Sequence, residues 1–286
     1  MIKVGVLGHT GNLGETLVDI LKKHPYAEIV YTHSTSEPSK ITLLESKAEL
    51  VFSALGYGVS KEYEWRDIKV IDLSIDHRND PKWVYGLPEL NRENIKDAQY
   101  VANPGCFATD TLEALLPVKD YVRNIKIQAY SGVSGRAGQP VDERKGIEKY
   151  AEGRAHPQVA EIEKHLQMLI DSFEPHIVYP LWAGIVAVIT AQIEKEADIS
   201  SLYRNSVHSE PFIKLVDFHP TKEINIVYLR KRFEEVGHTN FCHVSFVVNG
   251  NAITIISTLD NLVKGGSGQA VQNFNLMHGF DETLGL

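Results

Sequence analysis

Cysteine is nearly absent from this chain: Cys106 and Cys242 are the only two among 286 residues. Two thiols cannot build a disulfide framework, which points to a reducing compartment and makes a cytoplasmic location the expectation. Neither C-x-x-C nor H-E-x-x-H occurs, so the twelve histidines lack ligand spacing and no metal site is expected. No apolar run reaches the roughly 18 residues of a membrane span. The opening MIKVGVLGHTG reads as a strand and a glycine turn rather than a cleaved signal. Positive charge is short as well: the formal net charge of -8 argues against a nucleic-acid face. Low-complexity segments and internal repeats are missing too. What remains is 43% hydrophobic and 23% charged, a globular composition with material for a sizeable core and for one large or two smaller domains.

The first 105 residues read as a dinucleotide-type domain. IKVGVL is a short β-prone run, GHTGNLG a glycine turn, and Leu17, Ile20 and Leu21 mark a helix that ends at HPY. AEIVYTHS follows as a second strand, which completes a βαβ unit within about 30 residues and predicts parallel pairing. AELVFSALG, IKVIDLS and AQYVANPG are further buried strands, because their apolar runs are short and nearly continuous. Beyond about residue 124 the pattern changes. NIKIQAYSGVSG, HIVYPLWAGIVAVITAQIEK, INIVYLRK and TNFCHVSFVVNGNAITIISTLD are long β-prone runs that predict a mixed or antiparallel sheet. A helix is expected over about 142–172, broken near EGRAHP, and another over 268–286 that returns to the first domain. The fold class expected is α/β: a Rossmann-type domain over 1–105 and an α+β substrate and dimerisation domain over 106–267 with a large mixed sheet.

Gly8, Gly11 and Gly14 follow a strand and open a helix, the setting in which backbone approaches a pyrophosphate. Gly8, Thr10, Gly11, Asn12, Leu13 and Gly14 are therefore candidates for cofactor binding, against the alternative of a purely structural turn. The second strand ends in THSTSEPSK, without the early acid that would bind a ribose hydroxyl. Thr32, Ser34, Thr35, Ser36 and Lys40 favour the extra phosphate of NADP, with Ser34 and Ser36 the chosen contacts.

NPGCFATD places Cys106 at a strand end and a helix start. Peptide N–H groups and the helix dipole there favour a thiolate and can later hold an oxyanion. Cys242, inside FCHVSFVV, fits the ordinary fate of free cysteine as a small buried hydrophobe. For Cys106 the residues alone leave nucleophile and hydrophobe both open.

NPGCFATD resembles the nucleophile segment of the N-acetyl-gamma-glutamyl-phosphate reductases, relatives of aspartate-semialdehyde dehydrogenase. GHTGNLG at 8, ALGYGVS at 54, VIDLSIDHR at 70, YGLPELNRENI at 85, SGVSGRAG at 131 and DNLVKGGSGQAVQNFNLMHGF at 260 agree in order and span nearly the whole chain. The resemblance implies NADPH-dependent reduction of N-acetyl-gamma-glutamyl phosphate to a semialdehyde in arginine synthesis, through a thioester on Cys106. It implies His156 as acid/base, since similar proteins read roughly H-x-H-x-P-E-I where this chain has HPQVAEI. Ser131, Ser134, Arg136 and Asn103 become candidates for substrate and phosphate, while Gly135 and Gly268 join the cofactor set. The alternatives are a helix-capping His156, a structural SGVSGRAG turn, and a plain helix-entry turn at Lys264 to Gln269.

Three departures stand out. The chain is short between residues 36 and 48, PLWAGI carries Trp182 and Ala183 where longer relatives have an arginine, and Arg136 comes two positions early. These differences keep two other readings in play. One is a reductase of a glutamyl or aminoadipyl phosphate held by an acidic amino-group carrier protein, and the other is a non-catalytic NADP-binding sensor. A homo-oligomer, dimer or tetramer, is expected.

Overall fold

A computed structural model describes residues 1–34, 47–135, 146–150, 153–218 and 223–286. The chain divides into two compact units, one of residues 1–105 and 266–286, the other of residues 106–265.

The first unit is built on a six-stranded sheet of β1 (Ile2–Leu7), β2 (Ala27–His33), β3 (Leu50–Ser53), β4 (Lys69–Asp72), β5 (Val84–Tyr85) and β6 (Tyr100–Ala102). Their order is β2-β1-β3-β4-β6-β5, and every pairing is parallel. Both faces are covered, which is why Leu50, Val51 and Phe52 are all fully buried although they point to alternate sides. Helix α1 (Asn12–Leu21) buries Leu17 and Leu21, and α2 (Pro88–Lys96) starts with the proline that suits a first turn. Helix α7 (Gly268–Met277) is buried along its full length, with Ala270, Val271 and Phe274 in the same core cluster as Val4, Val6 and Phe52. The C-terminal helix expected over 268–286 stops at Met277 because Gly279 takes a positive φ and residues 278–286 turn back. Asn275 holds that return by donating to the carbonyls of Glu282 and Leu284.

The second unit carries a seven-stranded mixed sheet. Its strands are β7 (Val122–Gly132), β8 (Ile147–Lys149), β9 (Ser172–Val178), β10 (Ile185–Ile193), β11 (Ile213–Leu215), β12 (Cys242–Asn249) and β13 (Ala252–Leu259). The order is β11-β12-β13-β10-β7-β9-β8. Parallel pairs, β11 with β12 and β7 with β9, interrupt an otherwise antiparallel sheet. Helices α3 (Cys106–Leu115), α4 (Pro157–Leu166), α5 (Ile199–His208) and α6 (Ile226–Val236) accompany it. Asp110 of α3 meets Ser257 and Cys242, whereas Leu229 and Phe233 of α6 cluster with Ile256 and Val186. Because neighbouring strand residues face opposite ways, α3 and α6 lie on opposite faces of this sheet.

Two further expectations need correction. INIVYLRK is not a strand: Leu229, Phe233 and Val236 are buried at helical spacing, and the Asn225 side chain caps α6 by accepting from the Tyr228 N–H. The helix expected over 142–172 is also reduced. Residues 147–149 form strand β8 against β9, and only Pro157–Leu166 is helical before Gln167 adopts a left-handed backbone. Among the described residues no helix is long and apolar enough to cross a membrane.

Candidate active site

The glycine turn of the first unit is shaped by contact distances. Gly8 has φ +78, and a Cβ on it would lie 2.3 Å from the Ala54 carbonyl oxygen. A Cβ on Gly14 would lie 2.1 Å from the Gly8 oxygen, so α1 crosses the turn too closely for any side chain. Gly11 is different. Its Cβ would meet nothing nearer than the Gly8 oxygen at 3.7 Å, and as N-cap of α1 it supplies no side-chain cap. Thr10 and Gly11 are exposed, and Asn12 and Leu13 form the first turn of α1. A tight turn, a close helix crossing and open space over an uncapped helix start are what a bound pyrophosphate requires, so these residues fit a dinucleotide.

Ser34 follows β2 beside this turn, since Gly8 donates its N–H to the His33 carbonyl at 2.7 Å. Its side chain is buried. Ser36, with Thr35 and Lys40, lies outside the described residues, as does Arg136. Gly268 opens α7 and is buried, next to Ser267, whose hydroxyl donates to the Leu13 carbonyl at 2.7 Å.

Asn103 follows β6 and is engaged at every polar group. Its N–H donates to Asp72 O, its carbonyl accepts from Arg78 Nε, its Nδ2 donates to Gly266 O, and its Oδ1 accepts from Asn273 Nδ2. These bonds fix the turn that delivers the chain to Cys106.

Cys106 is the first residue of α3 and is half-buried, while every later residue of that helix is buried. Two groups bracket it. A Cβ on Gly265 would lie 2.8 Å from the Cys106 Cβ, so backbone packs against the cysteine from one side. From α4, Gln158 accepts the Ala108 N–H at Oε1 (3.0 Å) and places Nε2 3.9 Å from the Cys106 sulfur.

His156 is the N-cap of α4. Its Nδ1 accepts from the Gln158 N–H at 3.3 Å, which leaves the proton on Nε2, 3.1 Å from the Tyr150 hydroxyl. The ring packs edge-on to Phe107 and tilted against Phe173. Burial lowers its pKa to about 4, partly opposed by Glu161, so the imidazole is neutral at physiological pH.

A polar cluster lies under α3. Asp110 accepts from the Ser257 hydroxyl, and Cys242 Sγ sits 3.4 Å from that same oxygen. Burial raises the Asp110 carboxyl well above the usual range, and it raises the Cys242 thiol likewise. One turn on, Glu113 pairs with Lys264 at 3.0 Å, both side chains fully buried. The Lys264 ammonium is thereby tied to α3.

Ser131 and Ser134 are buried beside the segment 181–184. Ser131 Oγ bonds the Gly132 carbonyl, and Ser134 Oγ accepts from Asn261 Nδ2. The N–H groups of Gly132, Val133 and Ser134 donate to the Gly184, Leu181 and Trp182 carbonyls. Gly135, at the end of that turn, is exposed, and a Cβ on it would lie 3.1 Å from Ser131 Oγ. Asn261, which ties Ser134 to the Gly184 N–H, was missed because nothing in sequence spacing links 134, 184 and 261. Among the described residues no cluster of three or more His, Cys, Asp or Glu is arranged to hold a metal ion.

Residues 3–98 match the semialdehyde dehydrogenase NAD-binding domain, and residues 106–261 match the semialdehyde dehydrogenase dimerisation domain. N-acetyl-gamma-glutamyl-phosphate reductases from Thermoanaerobacter sp. (strain X514) and Alkaliphilus metalliredigens are 32% and 35% identical, covering 100% of this chain and 98% of each relative. A third, from Methanosphaera stadtmanae, is 34% identical over 100% of this chain and 97% of its own. Aspartate semialdehyde dehydrogenase II from Vibrio cholerae shares the fold, with a TM-score of 0.77 at 18% identity over 98% of this chain and 99% of that one. So does aspartate semialdehyde dehydrogenase with NADP from Candida albicans, with a TM-score of 0.73 at 15% identity over 97% and 99%. With a glycine turn fitted to a dinucleotide and a thiol at a helix start, the chain belongs to the N-acetyl-gamma-glutamyl-phosphate reductase family and carries the domain pair of the semialdehyde dehydrogenases.

Proposed function

We propose that this protein reduces N-acetyl-gamma-glutamyl phosphate to N-acetylglutamate semialdehyde and phosphate, the step used in arginine synthesis, with Cys106 as nucleophile. The observation that carries the reading is the half-buried thiol at the first turn of an otherwise buried α3, in a chain aligned end to end with named reductases. The Cys106 sulfur attacks the acyl carbonyl. A C–S bond forms, the C–O bond to phosphate breaks, and phosphate leaves with the electron pair, giving a thioester. NADPH, when bound at the glycine turn, supplies a hydride. Hydride addition to the thioester carbonyl and loss of the sulfur give the aldehyde and return Cys106 as thiolate. The α3 dipole favours that anion before attack and after release.

Gly8, Gly11 and Gly14 with Thr10, Asn12 and Leu13 are assigned to the pyrophosphate, and Ser34 and Ser36 to the ribose phosphate. Asn103 is assigned to shaping the turn before Cys106, and Ser131, Ser134 and Arg136 to the substrate side, with Arg136 as its cation. Gly135 and Gly268 complete the cofactor set. His156 keeps the proposed acid/base role: burial keeps the imidazole neutral, with the proton on Nε2, where Tyr150 is its partner. The dimerisation-domain match supports a homo-oligomer, and a reducing cytoplasm suits the free thiol.

A second reading concerns how the acyl group is presented. Trp182 is 56% exposed beside Ala183, where longer relatives of the family carry an arginine. This difference favours an altered substrate, such as a glutamyl or aminoadipyl phosphate attached to an acidic carrier protein.

The test runs the reaction backwards with N-acetylglutamate semialdehyde, NADP and phosphate. Phosphate-dependent NADPH formation by wild type, abolished in Cys106→Ser, is expected. Turnover only with carrier-linked semialdehydes favours the second reading. No turnover with any of these substrates, alongside normal NADP binding, overturns both in favour of a sensor.

A further inference from the structure

Gln158 occupies the second position of α4, behind the His156 cap and Pro157. Its side chain spans to the first turn of α3. The Oε1 accepts the Ala108 N–H at 3.0 Å, and the Nε2 lies 3.9 Å from the Cys106 sulfur. The first bond decides the second: with the amide oxygen held by an N–H, the amino end faces the sulfur, so a donor is presented to it. The backbone of Gln158 is anchored in turn, because its own N–H donates to His156 Nδ1. Gly265 also lies so close that a Cβ there would come within 2.8 Å of the Cys106 Cβ.

We propose that Gln158 is a positioning residue for the thiol, a carboxamide clamp that joins the α3 N-terminus to the sulfur, holds its direction and donates to it when it is anionic. This rests on the reading of Cys106 as nucleophile. The clamp exchanges no proton, since a carboxamide neither gains nor loses one near neutral pH. Gln158 therefore aims and stabilises the sulfur, and proton transfer falls to other groups. The arrangement also gives His156 a second function. As cap of α4 and acceptor for the Gln158 N–H, it supports the residue that touches the thiol.

Gln158→Glu tests this most sharply. The variant keeps the chain length and an oxygen for the Ala108 N–H, but it turns a carboxylate oxygen toward the sulfur. The charged and titratable groups already packed along α3 and α4 stay the same: Asp110, the Glu113–Lys264 pair, His156 and Glu161. Iodoacetamide alkylation of the folded protein, read on the Cys106 peptide by mass spectrometry, should slow by about tenfold at pH 7, with the half-maximal rate moved to higher pH. In turnover, kcat should fall while KM for the semialdehyde stays within about twofold. Gln158→Asn, too short to reach both partners, should slow alkylation similarly without introducing charge, and it serves if the glutamate variant fails to fold. Wild-type alkylation rate and pH midpoint in either folded variant overturns the clamp. Alkylation needs no turnover, so the two readings fail separately. An active Cys106→Ser removes the nucleophile, whereas an inactive Cys106→Ser with normally alkylated Gln158→Glu removes only the clamp.

Discussion

The two cysteines belong to or touch one helix, α3, and have opposite chemical settings. Cys106 begins α3, half-buried, with a carboxamide facing its sulfur. Cys242 lies under the next turn of the same helix, fully buried, 3.4 Å from Ser257 Oγ and near the Asp110 carboxyl. Burial and the acids Glu113 and Asp110 push its thiol pKa up, so it stays protonated. Residue type is the same at both places. Position relative to peptide dipoles, acids and solvent decides which one is a nucleophile.

The largest expected effect divides the pair by function. Cys106→Ser should lower kcat/KM by about a thousandfold or more, because a serine hydroxyl at this site stays protonated, while Cys242→Ser should leave turnover within a few-fold. Comparable loss from both would break the comparison.

Next comes the ion pair that anchors the nucleophile's helix. Lys264→Met leaves Glu113 charged and buried without its partner, and a destabilisation of about 3–5 kcal/mol is expected in denaturant titration. Adding Glu113→Leu should restore much of that loss, since an apolar pair of similar volume avoids the desolvation cost. A single variant with wild-type stability would mean that the pair does not hold α3.

A smaller effect concerns pH. His156 and His165 both have pKa values lowered to about 4 by burial. Between about pH 6.5 and 4 the unfolded chain binds protons that the folded chain refuses, so stability should fall as pH falls through that window. Asp110, with its raised pKa, acts with the opposite sign as pH rises. His156→Gln should flatten the acid slope; an unchanged slope would show that this histidine is not buried in the neutral form. Smallest of all, Cys242→Ala should cost about 1 kcal/mol, the loss of one small buried side chain, with alkylation of Cys106 unaltered.

Much of this arrangement was legible in the sequence, for identifiable reasons. Strand, glycine turn and helix at residues 2–21 are local signals, and parallel buried strands carry continuous apolar runs, so the Rossmann-type half could be read directly. The large mixed sheet followed from long β-prone runs, and the position of Cys106 at a strand-to-helix junction from NPGC. The α6 segment misled because Ile224, Ile226, Val227 and Tyr228 are β-formers, and tertiary burial of Leu229, Phe233 and Val236 overrides that propensity. Partners remote in sequence were not legible. Gln158 at Cys106, Lys264 at Glu113 and Asn261 at Ser134 depend on how strands and helices are brought together, and no spacing rule links them. The pairing of the SGVSG N–H groups with 181–184 was hidden for a related reason: only the folded sheet brings those segments together.

The most direct test of a thioester on Cys106 is to mix the folded protein with N-acetyl-gamma-glutamyl phosphate in the absence of NADPH, quench in acid and map peptides by mass spectrometry. An N-acetylglutamyl group on the Cys106 peptide, absent in Cys106→Ser and released on adding NADPH, is the predicted result. Acylation of Cys242 or another residue, or turnover by a protein that never acquires the adduct, would contradict it.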